Sequence, residues 1–313
     1  MTMDHSLFDT FRLTNVERGL GVYGVHVHVE GKGELEHRFR ADDRVHLWSA
    51  SKTFTSVGVG IAIDEGRFAL DDAVLGFFPQ FADAAAPGSE AITVRHLLQM
   101  SCGKEYDMFS VGDSAVFGGG SGRPESADWA QLFFAGEVTT NPGTHFFYAN
   151  AATYMLGRVV EAASGQVLRE YLLPRLFGPL GVYNPWWNTC PDGHSLGAFG
   201  LQLRTSEFAK LGRLLLQDGC WDDRELVSAG YVYAMHTDVV VPAIPGGDKE
   251  SSVGYGYQVW LNTTPGTYRA DGMYGQYSIV LPEQRAVVTV TAHNERNGCD
   301  IIRAVFADLV PRL

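Results

Sequence analysis

A serine followed three residues later by a lysine, Ser49-Ala-Ser-Lys52, is the stretch of this chain best suited to covalent chemistry. At the start of a helix that spacing puts both side chains on one face, one turn apart. A serine hydroxyl is a weak nucleophile until a neighbour takes its proton, and a lysine is such a neighbour. The helix N-terminus adds partial positive charge, which stabilises an alkoxide and disfavours a protonated lysine nearby. The chain has only five lysines (Lys32, Lys52, Lys104, Lys210 and Lys249), so Lys52 does not belong to a basic run. A second copy of the spacing, Ser101-Cys-Gly-Lys104, contains Gly103 and reads as a turn with no shared face. A further signal is Tyr148-Ala-Asn150, which follows Pro142-Gly143 and opens a helix. A tyrosine beside an ammonium group has its phenolate favoured, which suits general-base work. The plain alternative is a tyrosine packed on a helix start, with Asn150 as its N-cap.

Elements with distinct periodicities must position these groups. From Gly21 to Phe39 the chain alternates, with Val25, Val27 and Val29 on one face and His26, His28 and Glu30 on the other. Gly31-Lys32-Gly33 turns it back, a β-hairpin pattern. His26 and His28 share a face, and His37 lies on the returning strand, which raises a metal site as a weak option. Solvent or a covering helix explains such a face better, because no cysteine or carboxylate set with ligand spacing accompanies the histidines. Ser49 to Glu65 is free of proline and repeats helically up to Gly66, and Thr93–Met100, Ala149–Ala163 and Val167–Leu176 read as helices. Thr205–Asp218 reads as an amphipathic helix capped by Thr205 or Ser206. Tyr255–Asn262, Gln276–Leu281 and Ala286–Ala292 read as strands, and Asp300–Leu309 as a closing helix. The glycine-rich stretch from Phe117 to Pro124 lacks a Gly-Lys-Ser/Thr ending and a preceding strand, so it is no phosphate loop.

The expected fold class is α+β: an antiparallel sheet built from N- and C-terminal strands, flanked by helices, with an inserted, mostly helical region. We divide the chain into a sheet part, 1–70 with 191–313, and a helical part, 71–190, forming one catalytic unit. At 313 residues with 45% hydrophobic content the chain supports a substantial core. Its net charge of −12 argues against nucleic acid as a partner. The N-terminus shows neither a basic n-region nor an apolar h-region, and no apolar run spans a bilayer, so the expectation is a cytoplasmic protein without membrane contact. The four cysteines (Cys102, Cys190, Cys220 and Cys299) are far apart and are expected to be free and mostly buried. Trp186, Trp187, Tyr255 and Trp260 are expected to fill the core or to line an apolar pocket.

Ser49-Ala-Ser-Lys52-Thr-Phe and Tyr148-Ala-Asn150 resemble the motifs of the class C β-lactamases, their penicillin-binding relatives and the related carboxylesterases. The resemblance extends through Ile92–Gly103, Leu156–Gly165, Leu176–Gly181, Gly197–Leu201 and Thr205–Gly212, in order, from about Arg38 to about Thr291. Where those relatives carry Lys-Thr-Gly or His-x-Gly, this chain has Ala270-Asp271-Gly272, so the basic residue is gone. Arg269 is a poor substitute because neighbouring strand residues face opposite ways. The substitution is similar to the branch with esterases and with amide hydrolases of nylon oligomers. The resemblance implies Ser49 as nucleophile, with Lys52 and Tyr148 sharing its proton as a coupled pair. It also implies an oxyanion site from the backbone N–H groups of Ser49 and Met273, and substrate contacts from Asn150, Ala270, Asp271 and Gly272. It implies a small ester or amide substrate, with no metal and no organic cofactor. A β-lactamase, a D-alanyl-D-alanine carboxypeptidase and a non-catalytic scaffold of the same fold are the competing readings.

Overall fold

The computed structural model describes residues 3–106, 128–244 and 246–313. Its strands, in chain order, are β1 (Val22–Val29), β2 (Gly33–Arg38), β3 (Val45–His46), β4 (Trp186–Trp187), β5 (Leu201–Leu203), β6 (Cys220–Trp221), β7 (Arg224–Glu225), β8 (Trp260–Leu261), β9 (Tyr268–Gly272), β10 (Gln276–Leu281) and β11 (Ala286–Ala292). Six of them form an antiparallel sheet in the order β2-β1-β11-β10-β9-β8, so the N-terminal hairpin pairs directly with the last strand. This is the α+β architecture expected from strands at both ends and helices between.

Alternation along β1 and β11 builds two different interfaces. Val25, Val27 and Val29 with Val288 and Val290 face the terminal helices, burying Phe8, Phe11, Ile301, Ile302 and Leu309 between them. The helix Asp9–Arg18 in that layer was not anticipated; its inward positions are only Phe11 and Asn15, too few for a clear periodic signal. On the opposite face the helix Thr205–Leu216 crosses the sheet. Gly212 permits this, since a Cβ there would lie 2.3 Å from Ser278 Oγ and 2.5 Å from Val287 Cγ1. The expected cap at Thr205 or Ser206 is displaced by one residue. Arg204 is the N-cap, its N–H donating to Glu207 Oε2 at 2.9 Å, and the Thr205 hydroxyl is bonded instead to Thr291 Oγ1 at 2.7 Å.

The same helix is the cover that His26 and His28 called for: both are buried on its side of the sheet. Burial holds both imidazoles below their usual range. His37 pairs with Val25 and packs against Phe8 and Phe39, so it stands on the other face from His26 and His28. No group of three or more metal-ligating side chains occurs among the described residues. All four cysteines are free, but only Cys102 and Cys190 are buried; Cys220 is exposed and Cys299 half-buried.

The helix Ser51–Asp64 runs through the molecule with every residue from Ser51 to Ala62 buried. A helix apolar on all sides needs cover on all sides, and one continuous core supplies it. That core runs from Val280 and Val287 of the sheet, through Phe54 and Val57, to Leu97, Phe133 and Met155. It therefore crosses both the 70/71 and the 190/191 divisions of the chain. The remaining helices largely follow the sequence expectation: Val94–Leu98, Asn150–Ser164, and Leu168–Leu172 continued by a π-helical turn over Leu173–Phe177. The closing helix divides likewise into Cys299–Ala304 and a π-helical turn over Val305–Leu309. The strand expected over Tyr255–Asn262 shortens to β8, because Gln258 takes a left-handed φ of 62° that breaks the ladder. Among the described residues no helix is long and apolar enough to cross a membrane.

Candidate active site

Ser49 sits in a short 3₁₀ turn, Trp48–Ala50, that leads straight into the helix beginning at Ser51. The combined helical pitch brings Lys52 Nζ within 3.0 Å of Ser49 Oγ. Lys52 is only 1% exposed, so its polar end must be satisfied internally. Its Nζ donates to Asn150 Oδ1 at 2.6 Å and to the Ala198 carbonyl at 2.9 Å. An ammonium has three donors, and Ser49, Asn150 and Ala198 are three acceptors.

Two segments distant in sequence deliver these acceptors. The stretch 197–201 lies along the helix, tied by Thr55 Oγ1 donating to the Gly197 carbonyl at 2.8 Å and the Leu201 N–H donating to Ser51 Oγ at 3.3 Å. The loop before Tyr148 is pinned to the end of the helix Val94–Leu98, with the Phe147 N–H donating to the Met100 carbonyl at 2.8 Å. Ala149, not Asn150, is the N-cap of the helix that follows, and the Asn150 side chain turns its Oδ1 to Lys52. Tyr148 stacks on Trp260 with 5.7 Å between centroids and meets Tyr255 edge-on at 5.9 Å. Lys52 Nζ lies 5.0 Å from the Tyr148 ring centroid. Burial pushes the Tyr255 phenol far up, so it stays protonated beside Tyr148. Tyr255, Trp260 and Trp187 join the core, while Trp186 is exposed.

The end of β9 closes the site from the sheet side. At Gly272 a Cβ would lie 2.2 Å from the Leu47 carbonyl oxygen and 3.1 Å from the Ala50 nitrogen. Only glycine lets this strand touch the turn that carries Ser49, which places the Met273 peptide beside that turn. Ala270 shares the Gly272 face and is 1% exposed. Asp271 stands on the opposite face: it pairs with Tyr277 across the ladder, and its carboxylate accepts from Arg269 Nε at 2.8 Å. That ion pair moves Asp271 away from the substrate contact expected of it. Arg269 is fully buried and further held by Asn262 Oδ1 at 2.8 Å and the Glu250 carbonyl at 3.1 Å.

Sequence reasoning passed over two positioning groups. Gln258 donates to the Leu97 and Leu98 carbonyls at 3.2 and 2.7 Å and accepts from Thr153 Oγ1 at 2.6 Å, and its own carbonyl accepts from Thr53 Oγ1 at 2.8 Å, tying three helices behind Lys52. The Ala198 carbonyl is the other; a backbone acceptor leaves no mark on residue type.

The second Ser-x-x-Lys copy is built differently. Ser101 is buried with its hydroxyl turned to the His96 carbonyl at 3.5 Å, while Lys104 Nζ bonds Ser89 Oγ at 3.3 Å and the Gly136 carbonyl. Burial lowers the Lys104 pKa to about 8 from the usual 10.5. The folded state therefore binds fewer protons than the unfolded state between those values, and stability rises with pH across that window. We expect wild type to gain up to about 3 kcal/mol over Lys104→Met between pH 8 and 10.5. Urea unfolding at a series of pH values measures this, and parallel stability curves for the two proteins would refute it.

The fold and the serine–lysine site together place the chain in the β-lactamase/transpeptidase class of proteins. The chain belongs to the beta-lactamase family, whose pattern matches residues 14–310. It is 28% identical to a lovastatin esterase of Penicillium rubens over 156 residues, 45% of this chain and 39% of that protein. It is 26% identical to a 6-aminohexanoate-dimer hydrolase of Paenarthrobacter ureafaciens over 230 residues, 70% of this chain and 55% of that one. The chain thus spans less than two thirds of either relative. The octameric penicillin-binding protein homologue from Pyrococcus abyssi superposes with a TM-score of 0.76 at 22% identity, covering 99% of this chain and 78% of that one. At that identity the likeness speaks for the fold. The glycine-rich stretch Phe117–Pro124 lies outside the described residues.

Proposed function

We propose that this chain hydrolyses a small, neutral ester or amide through an acyl-enzyme on Ser49. The observation that carries the reading is Lys52 Nζ, 3.0 Å from Ser49 Oγ and anchored on its other sides by Asn150 and Ala198. With two N–H groups committed to those anchors, the third position faces Ser49 Oγ. It is occupied either by a proton donated to the oxygen or by a lone pair that accepts the hydroxyl proton. Proton transfer then needs no side-chain movement.

In the first half-reaction Ser49 Oγ attacks the carbonyl carbon while its proton passes to the Lys52–Tyr148 pair. The carbonyl oxygen becomes an oxyanion held by the N–H groups of Ser49 and Met273. Collapse breaks the ester or amide bond, and the leaving alcohol or amine takes the proton. Water repeats the sequence on the acyl-enzyme, returning the proton to Ser49 and releasing the acid. The chain and water supply every proton and electron pair. Asn150 acts by orienting Lys52.

Ala270 decides between substrate classes. A basic side chain at that position would offer a substrate carboxylate a charge-assisted bond, worth about ten- to a hundred-fold in affinity. Alanine offers nothing. Two of the relatives named above are, by their names, an esterase and a hydrolase of a 6-aminohexanoate dimer, which supports an ester or amide substrate. The test is a panel of nitrophenyl esters, linear amide oligomers and a chromogenic cephalosporin. We expect kcat/KM for the best neutral ester to exceed that for the cephalosporin by at least about tenfold. The opposite order would put the β-lactamase reading first.

A further inference from the structure

We propose that His46, Trp48 and Tyr274 form a clamp that fixes the two backbone donors of the oxyanion site relative to each other, with His46 as a positioning residue. This rests on the acyl-enzyme reading above. Trp48, directly before Ser49, has a φ of 51°, and Tyr274, directly after Met273, has a φ of 66°. Bulky residues avoid this left-handed region, and persist there only where their surroundings over-determine it. Each is the chain neighbour of a residue whose N–H is assigned to the oxyanion.

The surroundings of Trp48 are specific. Its N–H donates to His46 Nδ1 at 2.9 Å, and the two rings lie 4.4 Å apart. Nδ1 accepts only when it carries no proton. Burial keeps His46 neutral at ordinary pH, its pKa near 4, so the proton sits on Nε2. The Trp48 indole also meets the Tyr274 ring edge-on at 5.3 Å and 79°. Tyr274 is in turn backed by the His293 ring at 4.4 Å, and its carbonyl accepts from the Asn294 N–H at 2.9 Å. Four rings are therefore in successive contact from His46 to His293. The middle contact joins the residue before one donor to the residue after the other. Beneath it, Gly272 lies against the Leu47 and Ala50 backbone, so the two segments meet at their base as well as through the rings.

The experiment measures the rate at which a fluorophosphonate labels Ser49, with kcat and KM for a nitrophenyl ester, in five proteins besides wild type. They are His46→Leu, His46→Asn, Trp48→Gly, the double variant Trp48→Gly with His46→Leu, and Tyr274→Leu. His46→Leu removes the acceptor, and labelling and kcat should fall about ten- to a hundred-fold, somewhat less than loss of a whole oxyanion donor, with KM nearly constant. His46→Asn puts Oδ1 where Nδ1 was and should restore most of the rate. Glycine takes the left-handed backbone unaided. In the Trp48→Gly background, then, His46→Leu should cost less than about twofold. Tyr274→Leu, at a half-buried rim position, probes the same clamp without touching the core and should lower kcat similarly. Wild-type labelling rates in folded His46→Leu or Tyr274→Leu would overturn the clamp, as would fully additive losses in the double variant. A wild type not labelled at Ser49 would instead overturn the functional reading, and the clamp with it.

Discussion

Ser49→Ala should abolish turnover, by about 10⁴- to 10⁶-fold, the range for removing a nucleophile that works as part of a unit. The change deletes one hydroxyl from a half-buried turn and no core volume. Lys52 keeps its bonds to Asn150 and Ala198, so the loss in stability should stay below about 1 kcal/mol. Urea unfolding beside steady-state rates separates the two effects. A fluorophosphonate should label wild type at Ser49 and leave Ser101 untouched. Ser101 is buried, and its nearest partner is the His96 carbonyl rather than Lys104, whose Nζ is bound to Ser89 and Gly136. Label recovered on the Ser101 peptide would mean that the wrong copy of the motif has been assigned.

Tyr148→Phe should lower kcat by about 10²- to 10⁴-fold, the usual contribution of a positioned acid–base group. The variant retains the whole ring, and with it the stack on Trp260, the edge contact with Tyr255 and the cation–π approach of Lys52. Packing predicts almost no change in stability, and a residue serving only to pack would leave kcat unaltered. The loss should fall on kcat rather than KM, because the hydroxyl works on the moving proton and not on the bound substrate. The absence of a pre-steady-state burst with a nitrophenyl ester establishes that acylation limits the rate measured. Near-wild-type acylation in the variant would remove Tyr148 from the mechanism and leave Lys52 as the sole base.

The two motifs were legible for different reasons. Ser49 and Lys52 lie three residues apart, and helical pitch alone brings such side chains together. Tyr148 and Asn150 were recognisable only through resemblance, since residue types at a helix start admit a capping role equally well. The cap proved to be Ala149. For Asp271 the triplet alignment suggested a substrate contact, but the two-residue period of β9 puts it on the far face with Arg269. The parity argument that set Arg269 aside applied to Asp271 as well. Gln258 escaped notice because its amide bonds Leu97, Leu98 and Thr153, all distant in sequence, from inside a run that reads as a strand.

By itself the sequence determined the alternation that makes the sheet, the apolar helix that carries Lys52, and the glycine that lets β9 end against the Ser49 turn. These follow from periodicity and from the absence of a side chain, which are local properties of the chain. Tertiary structure alone decided that Asn150, 98 residues from Lys52, comes within 2.6 Å of it, and that the Ala198 carbonyl, 146 residues away, also accepts from it. It also decided which face each residue of β9 presents, and that Trp48 adopts a backbone it would not choose unaided. Local conformational preferences act over a few residues and leave a signature in residue type. A buried ammonium, by contrast, accepts any well-placed oxygen, side chain or backbone, so its partners are set by packing over distances that no spacing in the sequence encodes.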